Sequence, residues 1–402
     1  MKKKNIDYFI FTISPILSLP YYIKGIKEHR KTAFYSIGAF FSLLGAYLPP
    51  TNDAYRYREL YYSNMNVDWN TLFIENKDFL FIYLSKIFNN LGVEFELFKF
   101  FILLVSYSLY IWMFLDILKT NPHICQNNKL YIWSCTALFF SIRLFTIAYG
   151  IRFGVASSIV IVSVYLLHKQ KIIAAIIVLL CAIFMHFSIS VILLLVLLSY
   201  FLVKVKLNMT YKILILLILC IFANSSISSI LLYIFPDNIL IQQQINIYID
   251  GNWGTNSMLE SMNFNGYMFT IIRIIPIFPL SYFVLKKTDS SFLSNMGFLL
   301  MALLCISTSS ITLLLRYSNI GIAICFISFL CTMKNNKTDL KRMKITVFSF
   351  LIVFCSYVYA HRKEFVYGYQ NIVLCCPIIT IPNHLYTDEW VYKYIDSEGY
   401  FR

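Results

Sequence analysis

The chain has 402 residues, of which 59% are hydrophobic and 13% charged, and it carries a formal net charge of +14. Soluble chains carry about 25% charged residues, so this one has too few to cover a water-facing surface. The excess of bases does not indicate nucleic acid. The bases sit in short connectors between apolar runs, where they set membrane topology, and no soluble domain remains to carry a basic footprint.

The apolar runs are about 16 to 22 residues long, the length that crosses a hydrocarbon core as a helix. They lack the ten-residue alternation of a membrane barrel. The fold class is therefore all-α and polytopic, with roughly 11–12 transmembrane helices. In chain order the expected spans are 7–23, 32–48, 97–118, 129–149, 151–167, 172–186, 187–203, 213–234, 266–285, 292–313, 316–333 and 345–360. The stretch 129–203 is almost continuously apolar and is divided at Gly150, His168–Lys171 and His186. Pro15 and Pro20 interrupt the first run, so it reads as a full span or as a shallow re-entrant segment. No small-residue cleavage site follows it, so it is expected to be retained. Residues 1–360 read as a single transmembrane domain, and 361–402 as a C-terminal tail with a short apolar stretch at 371–381. The ten cysteines lie mostly inside apolar runs and form no C-x-x-C pair, so they read as small apolar side chains.

Charge orients the spans. Lys24, Lys27, Arg30 and Lys31 fill one connector; Lys119 and Lys129, Lys169 and Lys171, Lys204, Lys206 and Lys212, Lys286 and Lys287, and the group Lys334 to Lys344 fill others. Loop 49–96 holds more acids than bases, and 235–265 has no lysine or arginine. The positive-inside rule puts the lysine series in the cytoplasm and both long loops, with the tail, outside. Lys2, Lys3 and Lys4 disagree with this if the first run spans. In loop 49–96, Asp78 is placed to cap an amphipathic helix over Phe79–Leu91, with Phe79, Ile82, Tyr83, Lys86 and Ile87 on one face lying along the membrane surface. Loop 235–265, with Trp253 among Asn, Gln and Gly, suits sugar contacts, although a plain solvated loop looks similar.

A charge at mid-span costs roughly 2.5–3.5 kcal/mol on the insertion scale, so the exceptions are informative. Arg143 lies toward the outer end of 129–149, Arg152 near the start of 151–167, Arg273 about two turns into 266–285, and Arg316 opens 316–333. His186 ends 172–186, and Asp53, Arg56 and Arg58 follow 32–48. A topology built from connector lysines places all of them at one depth, in the outer leaflet. Taken singly, each has a plain explanation. An arginine can snorkel to headgroups, His186 can be a structural hydrogen-bonder, and Asp53 with Arg56 can be a surface ion pair worth little. Jointly, clustered cations call for an anion, and a lipid phosphate or diphosphate suits the planar, always-charged guanidinium fork.

These residues fall into an ordered pattern. Pro50-Thr51-Asn52-Asp53-Ala54-Tyr55-Arg56-Tyr57 is followed by Lys77-Asp78-Phe79 and Leu91-Gly92-Val93-Glu94-Phe95, then Ile151-Arg152-Phe153-Gly154-Val155-Ala156, then Met185-His186-Phe187-Ser188. In order and spacing, over residues 35–205, the chain resembles the Wzy-type polysaccharide polymerases of the EpsG-like branch. The later half resembles them in hydropathy and in Arg316-Tyr317. Two positions depart from the pattern: Asn52 stands where glycine is common, and Phe153 where glutamine is. Ser141-Ile142-Arg143 also competes with the Arg152 motif, so the two arginines can exchange roles.

The resemblance implies a GT-C-like architecture in a bacterial cytoplasmic (inner) membrane. It implies a glycosyltransferase that joins oligosaccharide repeat units carried on polyprenyl diphosphate, at the outer face and without metal or other cofactor. Partners would be those lipid-linked oligosaccharides, the bilayer, and a chain-length regulator and flippase of the same pathway; the product would be O-antigen, capsule or exopolysaccharide. Arg143, Arg152, Arg273 and Arg316 would bind diphosphate. His186 would bind phosphate or act as general base, with Asp53 the rival base. Arg56, Tyr57 and Tyr317 would contact sugar. The alternatives are a lipid-linked oligosaccharide flippase or exporter, which should show internal repeats and a mid-membrane cavity, and a membrane acyltransferase, which needs a cytosolic acyl-donor entrance that the short connectors leave little room for.

Overall fold

The computed structural model describes residues 9–63, 67–75, 78–205, 207–234, 242, 255, 260, 262–286, 291–334 and 336–402. Most of loop 235–265, including Trp253, and Lys77 of the motif series lie outside the described residues. The described chain is helical; its only β feature is an isolated bridge between Ile395 and Phe401. Among the described residues, seven helical segments are long and apolar enough to cross a membrane: Phe95–Thr120, Asn128–Tyr149, Ile151–His168, Phe264–Lys286, Phe292–Ser309, Ile311–Thr332 and Lys337–Ala360. Ile172–Met185, Phe187–Leu202 and Met209–Ile221 are apolar but shorter. This is an all-α, multi-pass membrane protein.

Several expected spans are broken. The first run is interrupted at 14–18 around Pro15 and resumes as Leu19–Lys27, where Pro20 sits in the first turn. The freed Ile16 amide donates to the Leu374 carbonyl, 3.0 Å away. The span 129–149 breaks at Ile142–Arg143, and 266–285 breaks at Ile275–Pro276. Helix Ile172–Met185 has 14 residues, about 21 Å of rise against a hydrocarbon core of roughly 30 Å. Hydropathy does not register such breaks, because the segments on either side of them remain apolar.

The chain divides into two compact units, residues 1–190 with 357–402, and residues 191–356. In the first, Lys31–Ala46 packs along Phe95–Thr120, with Phe41 stacked on Tyr107 at 5.9 Å and Phe34 against Phe114 at 6.1 Å. Ile151–His168 packs on Ile172–Met185 and on the short helix Leu144–Tyr149. Gly154 permits that second approach: a Cβ there would lie 2.6 Å from the Ile147 Cα.

Loop 49–96 is folded. Helix Asp53–Ser63 leads to Trp69–Glu75 and then Phe79–Asn90. The last buries Phe81, Ile82, Ser85, Lys86 and Asn89. The expected face is thus corrected: Tyr83 is exposed beside Trp69, and Phe81, Ser85 and Asn89 turn inward. The reason is that protein meets this helix. Asn89 Nδ2 donates to the Tyr61 carbonyl at 2.6 Å, and Phe79 meets Phe184 at 4.4 Å.

The tail is also folded, as Arg362–Tyr367, Gln370–Cys375, a 3-10 segment Ile378–Asn383 and Asp388–Tyr394. Tyr386, Trp390, Val391 and Ile395 form a small core onto which Tyr55 of the loop packs. The Asn52 amide donates to the Gly399 carbonyl at 2.7 Å, and Tyr386 Oη donates to the Tyr47 carbonyl at 2.6 Å.

In the second unit, Phe292–Ile306 packs on Ile311–Thr332 and on Met209–Ile234. Phe283 stacks on Phe329 at 4.8 Å. Ser307–Ser310 ends one helix, and the Ser310 hydroxyl caps the next, which starts at Ile311. Arg316 therefore does not open its helix; it lies in the second turn, half-buried.

Candidate functional site

The sequence motifs of the first unit meet around Arg152. Gly150 breaks the chain between Leu144–Tyr149 and Ile151–His168, so Arg152 projects from the first turn of the second helix. Its Nη1 donates to Asp78 Oδ2 at 3.0 Å. The guanidinium lies over the Tyr57 ring at 4.7 Å, a cation–π contact, and the Tyr57 hydroxyl and Asp53 carboxylate both interact with it electrostatically. Its side chain is 30% exposed.

Asp78 occupies the N-cap position of Phe79–Asn90 but makes no side-chain cap. Its carboxylate turns outward instead. One oxygen takes Arg152, and the other accepts from the Phe187 amide at 2.8 Å. A single carboxylate thus ties Arg152 to the turn that follows His186.

That turn is defined by His186 itself. Its extended backbone, with φ −156 and ψ 113, ends one helix, and its ring caps the next. Nδ1 accepts from the Ser188 amide at 3.2 Å and lies 2.8 Å from Ser188 Oγ. An amide can only donate, so Nδ1 must present a lone pair. The ring is then the neutral tautomer with its hydrogen on Nε2. Phe153 meets the ring edge-on at 5.4 Å.

Asp53 opens helix Asp53–Ser63, and its carboxylate lies 3.9 Å from Arg56; both side chains are largely exposed, at 46% and 61%. The turn before it needs a left-handed residue: Asn52 has φ 55. Asparagine and glycine are the residues that take this conformation readily, which accounts for Asn52 at a position where glycine is common. Tyr57 is buried against Phe81, 5.5 Å away.

Arg58, by contrast, faces away and is buried. Nη2 donates to Asp388 Oδ1 at 2.7 Å and to the Tyr386 carbonyl at 2.9 Å, Nη1 donates to Glu59 at 3.3 Å, and the guanidinium stacks over Tyr62 at 5.0 Å. Burial pushes its pKa down, but the Asp388 hydrogen bond and the neighbouring anions outweigh this and hold it above the ordinary value. Tyr62 is held above its ordinary value, first by burial and then by the Glu96 charge and its bond to Glu94.

Arg143 is buried at its own helix break, at the N-cap of Leu144–Tyr149. Arg273 and Arg316 belong to the second unit. Arg273 sits in the last turn of Phe264–Ile274, where a cation suits the helix dipole, and lies over Phe269 at 5.5 Å. Tyr317 is buried beside the half-buried Arg316.

A model of the EpsG family matches residues 31–371. The chain belongs to the EpsG family. The match runs from the start of helix Lys31–Ala46 to the start of the tail helix Gln370–Cys375, so it takes in every residue of the Arg152 cluster. Membership points to a polysaccharide-polymerase type of function. No curated protein and no solved structure matches the chain.

Two further groups were not legible as site residues. Asp78 reads as a helix cap, since an Asp before an apolar run is the usual N-cap signature; its place in the ordered motif series was the available signal. The tail acids Glu364 and Asp388 carried no signal, because their partners lie in a distant part of the chain.

Proposed function

We propose that this EpsG-family protein is a glycosyltransferase that extends a polysaccharide by joining oligosaccharide repeat units carried on polyprenyl diphosphate, at the outer face of a bacterial cytoplasmic membrane. The observation that carries this reading is the Arg152 site. A partly exposed guanidinium, held by one carboxylate and one aromatic face, is tied through that carboxylate to the turn that follows His186, whose Nδ1 accepts and leaves Nε2–H as a donor.

In the reaction, an acceptor sugar hydroxyl attacks the anomeric carbon of the donor chain. The bond from that carbon to the diphosphate oxygen breaks, and the hydroxyl proton passes to a base. Charge grows on the diphosphate as it leaves. Donors aimed at that charge stabilise the transition state more than the ground state. Arg152 supplies a charged donor and the His186 Nε2–H a neutral one. In this tautomer His186 is a hydrogen-bond donor, which leaves Asp53, exposed and near Arg152, as the general base. Arg56 and Tyr57 flank it for sugar contact. Arg143, and in the second unit Arg316, Tyr317 and Arg273, are proposed as further contacts to the lipid diphosphate and its sugar. The acceptor, the donor and the pathway's flippase and chain-length regulator are the partners of this reading.

The test is reconstitution of the full chain in proteoliposomes with purified lipid-linked repeat units. Polymer should form with wild type and be lost with Arg152→Ala, which should still insert. Movement of the lipid-linked unit across the bilayer without polymer would instead support a flippase.

A further inference from the structure

The tail places a buried carboxylate between the two segments that carry the Arg152 site. Glu364 follows His361 in the tail and is 6% exposed. Its Oε1 accepts from Thr51 Oγ1 at 3.2 Å, and its Oε2 accepts from the Tyr149 hydroxyl. His361 Nδ1 lies 2.8 Å from the same carboxylate and stacks its ring on Phe145 at 5.2 Å and on Tyr149 at 4.8 Å.

Thr51 and Tyr149 are at telling positions. The Thr51 carbonyl accepts from the Ala54 amide at 3.1 Å, so Thr51 starts the turn that delivers Asp53 and Tyr57. Tyr149 ends helix Leu144–Tyr149, directly before the Gly150 break from which Arg152 projects. One carboxylate therefore fixes the base-bearing segment and the arginine-bearing segment to a common point.

The anchor is itself immobilised. The Glu364 carbonyl accepts from the Gly368 amide at 2.8 Å and from Gln370 Nε2 at 2.9 Å. Gly368 lets this turn close on the loop: a Cβ there would meet the Gln370 side chain, lie 2.6 Å from the Glu364 carbonyl and lie 2.8 Å from Pro49 Cδ. Lys99, fully buried, donates to the Leu48 carbonyl at 3.4 Å and lies over the Tyr149 ring at 5.9 Å, so it touches both segments as well. A carboxylate suits the task, since it accepts several donors at once with fixed directions.

We propose that Glu364 is the positioning residue of this protein, bonding Thr51 and Tyr149 so that Asp53 and Arg152 are held in register from the C-terminal tail. This rests on the Arg152 reading of the reaction. A donor and a base must be placed to within a fraction of an ångström, and a misplacement of about 1 Å costs on the order of 100-fold in rate.

The experiment uses the full chain in proteoliposomes, with kcat and KM for the lipid-linked repeat unit measured well below each variant's melting temperature. Thr51→Val and Tyr149→Phe each remove one donor and leave Glu364 in place. Each should lower kcat about tenfold with KM within about twofold, and Thr51→Ser should restore kcat. Glu364→Ala should lower kcat about 100-fold. If Glu364→Ala fails to insert, the two donor variants decide alone. Unchanged kcat in Thr51→Val and Tyr149→Phe, with Arg152→Ala inactive, would overturn the positioning role and leave the site reading standing. Full activity in Arg152→Ala would overturn both.

Discussion

Arg58 and Arg152 are both charges that hydropathy flags as out of place, yet the protein uses them in opposite ways. Arg58 is 5% exposed and is consumed by Asp388, the Tyr386 carbonyl, Glu59 and the Tyr62 ring. Arg152 is 30% exposed and is held by Asp78 and Tyr57. The first is a fastener between loop and tail; the second is positioned without being used up. What separates them is how many of the fork's donors the protein claims, and residue type alone does not reveal that.

The largest expected effect is a crossed pair. Arg152→Ala should lower polymerisation by about 100- to 1,000-fold with little change in melting temperature. Arg58→Ala should do the reverse, destabilising the protein by about 3 kcal/mol because the buried Glu96 carboxylate and the Tyr386 carbonyl lose their cationic partner, with faster proteolysis of the tail. An Arg58→Ala protein that melts like wild type but makes no polymer would erase the contrast. Next in size, Arg58→Lys should recover only part of that stability and remain about 1–2 kcal/mol below wild type. A single ammonium cannot reach the carboxylates and the carbonyl together; thermal unfolding of both variants in one lipid mixture checks this.

Asp78→Asn is smaller and sharper. The amide oxygen can still accept from the Phe187 amide, but the charge facing Arg152 is gone. KM for the lipid diphosphate should fall a few-fold, on the order of 0.5–1 kcal/mol, with kcat nearly unchanged. A raised KM would mean that Asp78 chiefly orients Arg152. Smallest of all, Asp388→Asn should cost less than about 1 kcal/mol in a melting experiment. Asp388 is 75% exposed, and the Tyr386 carbonyl still accepts from Arg58.

Much of this molecule could be read from its pattern, because the readable part is local. Apolar runs, prolines and glycine breaks report on residues a few positions apart, so the helices and the breaks at Gly150 and His186 followed. The face of Phe79–Asn90 did not. Periodicity finds an apolar stripe but cannot tell lipid from the protein surface that buries Asn89 and Ser85. Asp78 was misread for a related reason: capping is a local rule, and Arg152 is a partner from a remote segment. The start of the Arg316 helix was missed because Ser307–Ser310 lies inside a stretch of otherwise continuous hydropathy. The tail was the least legible, since Arg58 with Asp388 and Thr51 with Glu364 are side-chain pairings that no period encodes.

Those pairings also set an order in time. Thr51 and Glu364 are 313 positions apart, and Arg58 and Asp388 are 330 apart. At synthesis rates of about 5–20 residues per second, some 300 positions correspond to roughly 15–60 s. For that interval the helix carrying Asp53 and Tyr57 has its contacts to Phe81 and Asn89 but none to the tail. The earliest-made part of the site is therefore the last to be set, because its ties to Glu364 and Asp388 wait for residues made 313 and 330 positions later.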